Sequence, residues 1–249
     1  MLLLICCSIG MMYMVNQGDS ATVLSENSML VQNYLDETQE KNGLYSVQLY
    51  KEPVGDHALF HRSIIVCRFA NENFSYQWED KALNSHFYIV QNKNNTPMII
   101  VIREHYGTGA GIVTVTPFII TVDGLQVLDM PICSTNDFEA RQGFLAEILY
   151  HDRSKFEVFI PVTNYSSIVN LPSELAPWVT DKMIGKRLTN AAEGIYSATV
   201  EKVKDITVLR IKQRISSPRG NAEGLADIVS LITWEGTSMK VVFQTVTQE

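Results

Sequence analysis

The chain has 249 residues, with 20 Lys and Arg against 27 Asp and Glu, a net charge of −7 and an apolar share of 46%. That length supports one large or two small domains, each able to bury a core without disulfide or metal staples. Its charged share of 19% lies below the roughly 25% of an ordinary soluble domain, which argues against disorder over most of the chain. The basic residues are scattered, and their one small group is Lys202, Lys204, Arg210, Lys212 and Arg214. These alternate with Val203, Val208 and Ile211 and read as one solvated strand face, so no nucleic-acid partner is expected.

Residues 1–15, MLLLICCSIGMMYMV, carry no charge, and the first acidic and basic residues are Asp19 and Lys41. An uninterrupted apolar start followed by Asn16-Gln17-Gly18-Asp19-Ser20 reads as a signal or membrane tether, with 16–24 as a linker. No Lys or Arg precedes the run, and Asp19-Ser20-Ala21 is a poor cleavage site. Fifteen helical residues span about 22 Å, short of the ~30 Å hydrocarbon core. Leu3-Leu4-Ile5-Cys6 approaches a lipidation box, but Ile5 is not small. Cys67 and Cys133 are left for the folded body, either as a bridge or as two buried apolar residues. Sequons at Asn73, Asn94 and Asn164 are about as many as chance supplies and decide nothing.

The predicted elements begin with an amphipathic helix at about 26–41, inside a helical segment 25–43. Ser25 or Asn27 caps it, Leu30, Val31, Tyr34, Leu35 and Thr38 recur at helical spacing, and Gly43 ends it. From Leu44 the period becomes two, and 44–249 reads as a β-rich domain with a possible subdivision near 165–190. Strands are expected at 45–50, at 64–69 and 74–78 around the turn 70–73, and at 86–90 and 98–102 around 92–97. Residues 112–122 and 125–128 form a hairpin at Asp123-Gly124, a strong turn pair. Strands at 144–150 and 156–162 flank the turn 151–155. A short helix is expected near 173–184, then strands at 195–203, 206–211, 225–234 and 239–246.

Two stretches share a layout of strand, Gly-bearing loop, strand, acidic-Gly turn, strand: Met98 to the strand after Gly124, and Ile206 to Phe243. Both fit a three-stranded meander, whether by duplication or by common hairpin grammar. In outline these units are similar to blades of extracytoplasmic propeller-type proteins. They lack the Asp-x-Asp-x-Asp-Gly calcium loop of those blades, so no function or residue is carried over.

No reactive constellation stands out. Tyr106-Gly-Thr-Gly-Ala-Gly111 precedes a β-branched run rather than a helix and has no following Lys-Ser/Thr, so it reads as a bulged connection, with Tyr106 and Thr108 as its ligand-facing alternative. His57 and His61 are four apart but follow Pro53 and Gly55 and lack an intervening Glu, so no metal site is expected. His151-Asp152 falls in a turn. Cys67 or Cys133 with His86 or His105, and a carboxylate pair from Glu72, Glu79, Asp80, Glu104, Asp123 and Glu235, have no local support. Phe69, Phe74, Tyr76, Trp78, Phe87 and Tyr88 cluster in twenty residues, as core or as an aromatic shelf. The reading is a mainly β, antiparallel meander protein, extracytoplasmic, secreted or anchored to a membrane by its N-terminus. It binds a protein, peptide or glycan ligand, with no cofactor and with catalytic residues unknown. The alternative is a secreted or cell-surface hydrolase whose catalytic groups are dispersed in sequence.

Overall fold

Period-two alternation and glycine- or asparagine-bearing turns build nearly everything the computed structural model describes, which is residues 24–35, 44–54, 60–69, 72–91, 97–105, 112–121, 123–135, 141–189 and 191–248. Sheet I joins β1 (Met29–Leu35), β2 (Leu44–Pro53), β3 (His61–Phe69) and β4 (Glu72–Ala82). Sheet II joins β5 (Asn84–Gln91), β6 (Pro97–His105), β7 (Ile112–Thr121) and β8 (Gly124–Val127). A small hairpin of β9 (Cys133–Thr135) and β10 (Arg141–Gly143) follows. Sheet III contains β11 (Glu147–Tyr150), β12 (Lys155–Ile160), β13 (Tyr165–Asn170) and β14 (Arg187–Leu188) in the order β13-β12-β11-β14. Sheet IV joins β15 (Ala192–Val203), β16 (Ile206–Ser217), β17 (Gly220–Glu235) and β18 (Ser238–Thr247). Every strand pairing within these sheets is antiparallel, and sheets I, II and IV are plain meanders in chain order.

Sheet II is the middle layer. Val90, Met98, Ile100, Ile102, Val113, Val115 and Ile119 on one face join a core with sheets III and IV. Phe87, Ile99, Val101, Phe118 and Ile120 on the other face pack on Val47, Leu49, Ile65, Cys67 and Trp78 of sheet I. A strand buried on both faces has no solvent side to make polar, which is why Met98–Ile102 and the run after Ile112 read as nearly unbroken apolar sequence. The core shared by sheets III and IV draws on Phe156 and Ile160 before residue 165 and on Ile195, Leu209 and Ile228 after 190.

The turns follow local chemistry. Register pairs Thr121 with Gly124 and Glu235 with Ser238, so both acidic-Gly segments close hairpins. In the second loop only Gly236 and Thr237 separate the paired residues. Lys204 and Asp205 also take positive φ, at 48° and 66°, to close β15 onto β16, a tight turn without glycine. Gly124 has φ 127° and its missing Cβ would meet Phe74 at 3.4 Å, whereas Gly236 has φ 62° and open space. A φ of 127° is open to glycine almost alone, whereas one near 60° suits asparagine. Gly124→Val should therefore lower the melting temperature clearly, by the equivalent of about 1–3 kcal/mol, and Gly236→Asn should barely move it. Equal melting temperatures for the two variants would contradict the assignment.

Among the described residues, neither of the two helices expected from sequence is formed. Over its described part, the segment 26–41 is a turn and then strand β1, and residues 36–43 lie outside the described residues. The apolar spacing fits either form, and pairing with β2 supplies backbone partners that an isolated helix would lack. Near 173–184 only a 3-10 turn, Ala176–Trp178, forms, with Pro177 inside it. Leu175 and Val179 are buried on either side of it, so tertiary packing joins the short turn bonds, such as Trp178 N–H to the Leu175 carbonyl at 3.0 Å, in holding this stretch.

Candidate functional site

The contact between sheets I and II changes character along its length. At one end it is apolar, as described above. At the other, the same strand faces carry polar side chains: His61 and Ser63 from β3, Ser85 from β5, Arg103 and His105 from β6, and Thr114 and Thr116 from β7. The alternation that points Ile65 and Cys67 at sheet II also points Ser63 and His61 there, and the step from Ile99 and Val101 continues to Arg103 and His105. His61, Ser63, Ser85, Arg103, Thr114 and Thr116 are all buried, with Arg103 only 4% and His61 only 6% exposed.

Polar groups removed from water need partners, and most of these have them. The Ser63 and Ser85 hydroxyls lie 2.7 Å apart. Trp78 Nε1 donates to Thr116 Oγ1 at 3.2 Å. Arg103 Nη2 donates to Thr114 Oγ1 at 3.2 Å, and its guanidinium stacks 4.8 Å from the centre of the Trp78 ring. His105 Nε2 lies 2.7 Å from the same threonine oxygen. That hydroxyl has one hydrogen and two lone pairs, so it accepts from Arg103 and either donates to His105 Nε2 or accepts from it, according to the ring's tautomer. Among the described residues, His61 Nε2 is buried with no hydrogen-bond partner. Burial lowers the His61 pKa from its ordinary value, and the charges of Lys51, Arg103 and His105 lower it further.

The sequence-nominated residues fall as follows. His57, Tyr106 and Thr108 lie outside the described residues, while His61 lies at the start of β3. Among the described residues there is no group of three His, Cys, Asp or Glu able to hold a metal. Cys67 is free and fully buried, and burial pushes its thiol up to about 12, opposite to what a nucleophile needs. Cys133 lies in β9. His86 is on the opposite face of β5, against Tyr88 at 5.4 Å, and burial lowers its pKa with Glu104 opposing. His151 and Asp152 stay in the β11–β12 turn, where Asp152 accepts from the Ser154 and Lys155 amides at 2.6 and 2.9 Å. The Ser154 hydroxyl, which donates to it at 2.7 Å, and then those amides hold its carboxyl below the usual range. Glu104 is beside Asn84, Asp123 and Glu235 sit in separate hairpin turns, and Glu235 holds Lys240 at 2.6 Å. The aromatic cluster is mainly core: Trp78 and Phe87 are buried, and Tyr76, Trp78 and Phe118 meet edge to face. On β16, Arg210, Lys212 and Arg214 share one face, opposite buried Leu209, Ile211 and Ile215, and Arg210 pairs with Glu201 at 2.9 Å.

Two apolar surfaces were not legible in the sequence. β1 forms one edge of sheet I and exposes Met29, Leu30, Val31, Tyr34 and Leu35. A bulge between Leu30 and Gln32 turns Gln32 inward, where its amide donates to the Phe87 carbonyl at 2.9 Å and accepts from the Phe87 N–H at 2.8 Å, closing part of the β5 edge. Along β18, the free edge of sheet IV, an open groove of about 490 Å³ is lined by Met239–Gln244, Pro131, Val162, Thr163 and Tyr165, with Val162, Val242 and Phe243 exposed. Among the described residues no helix is long and apolar enough to cross a membrane. Compared with protein-family models, curated proteins and solved structures, the chain has no significant match in any of the three.

Proposed function

We propose that this chain is a β-rich binding protein, exported or tethered at a membrane by its apolar N-terminal segment, that engages a protein, peptide or glycan through an exposed strand edge. The observation that carries the reading is β1: a seven-residue edge strand whose five large apolar side chains are exposed. An edge strand presents unpaired backbone groups, and natural proteins usually blunt such edges with charge, proline or a cover. Met29–Leu35 has neither charge nor proline, which suits recognition by strand addition with apolar side chains supplying specificity. Among the described residues the hydrolase alternative rests on the His105–Thr114 contact, and there the hydroxyl is buried and already accepts from Arg103.

Two measurements test this. A reporter fused after residue 24 should appear at the membrane or outside the cell, and finding reporter and full-length chain together in the soluble cytosol would refute the location. A photo-crosslinker at Leu35 should give discrete adducts on intact cells, and one at Ile206, which is also exposed, should not. The same adduct pattern from both positions, or none from Leu35, would refute β1 as the binding edge.

A further inference from the structure

We propose that the polar end of the contact between sheets I and II is an acid-operated clasp: protonation of His61 releases this end of sheet I from sheet II and uncovers the interface that holds Cys67. The proposal is independent of the binding reading and rests on geometry. His61 is 6% exposed and its Nε2 has no partner among the described residues. A proton added there becomes a buried cation, and none of the described side chains is in place to receive its new N–H. Its surroundings on the described side chains are already basic. From β2, Lys51 shares its face, and from β6 so do Arg103 and His105. β5 and β7 contribute only the hydroxyls of Ser85, Thr114 and Thr116 to this face. Glu52 and Arg62, paired at 3.4 Å, and Glu104 beside Asn84 lie on the opposite strand faces. On β4, Glu79, Asp80 and Lys81 immediately precede Ala82, the register partner of His61.

The direction follows from linkage. The closed form holds a His61 whose pKa is lowered from 6.5, whereas an opened, hydrated His61 titrates near 6.5. The open form therefore binds more protons in mild acid, so closure is favoured fully above about pH 6.5 and weakened as pH falls below it. At pH 5 the opening equilibrium rises by at most about 30-fold relative to neutral pH, the limit in which only the open form is protonated.

Cys67 is a built-in reporter, since it lies on the same face of β3 as His61 and is fully buried. Full-length chain is reacted with 4,4′-dithiodipyridine at about pH 5 and about pH 7.5. Cys67 modification is read by peptide mapping and corrected for the rate of a cysteine peptide at each pH. The corrected rate should rise several-fold in acid, toward the 30-fold ceiling. His61→Gln should abolish the rise, and His86→Gln, altering a histidine on the other face of sheet II, should retain it. An acid-insensitive Cys67 in the unaltered chain, or an undiminished rise in His61→Gln, overturns the proposal. Hydrogen exchange of the unaltered chain decides the matter without any variant. Amides of β3 should exchange faster at pH 5, after correction for intrinsic rate, while those of β16 stay protected. Equal acceleration of both strands would mean global unfolding and would overturn the clasp.

Discussion

Phe118→Ala should be among the most destabilising single substitutions in the molecule, by about 3–5 kcal/mol. Phe118 is fully buried on β7, between Ile99 on β6 and Val127 on β8 in register. Its ring lies 5.1 Å from Tyr76 and 5.8 Å from Trp78, both edge-on, so it is the main aromatic bridge from sheet II to sheet I. Truncation removes the transfer energy of the ring and leaves a cavity between two sheets that are each held by their own hydrogen bonds and cannot fully close it. The two edge-to-face contacts add about 0.5–1.5 kcal/mol each. At about 2–4 °C per kcal/mol for a chain of this size, thermal unfolding should fall by roughly 6–20 °C. Phe243→Ala, at a half-exposed position on β18, should shift it by little, within about 0.5 kcal/mol. Similar shifts for the two would contradict the layer arrangement described here.

Gly143→Ala should cost about 3 kcal/mol or more, and the loss should vanish in a Gln213→Ala background. A Cβ at Gly143 would fall 2.1 Å from Gln213 Nε2 and 2.8 Å from its Cδ. Gln213 cannot swing away cheaply. It is 1% exposed, its Nε2 donates to the carbonyls of Glu193 at 3.0 Å and Phe144 at 3.3 Å, and its Oε1 accepts from the Phe144 amide at 2.8 Å. That one amide ties the exit of β10 to β15 and β16. Displacing it leaves a buried N–H and carbonyl unpaired, at about 1–3 kcal/mol for each unsatisfied group. Once Gln213 is alanine, the added methyl meets no amide and those bonds are already gone. The double variant should therefore be no less stable than Gln213→Ala alone, a large coupling in a double-mutant cycle. Chemical denaturation of the four chains measures it, and additive losses would remove Gln213 from this role.

Local sequence pattern is enough to specify the mainly β, antiparallel class and most of the hairpins. Those depend on interactions between near neighbours: alternation sets the strand, and Asp123-Gly124, the Asp152 turn and Glu235-Gly236 reverse it within a few residues. The resemblance between the units after Met98 and after Ile206 likewise emerged as two meanders, because each closes on itself. What the sequence left open has a common cause, namely dependence on partners far along the chain. Leu30, Val31, Tyr34 and Leu35 suit a helix as well as a strand, and only β2 beside them selects the strand. Gln213 reads as an ordinary strand residue until Phe144, 69 positions away, presents its backbone. The polar end of the interface between sheets I and II left a trace, since His61-x-Ser63 and Arg103-x-His105 interrupt apolar alternation on one face. Yet alternation says only that side chains share a face, not which sheet covers that face. Burial of His61 against sheet II was decided by the stacking of two sheets, a tertiary event no local pattern encodes.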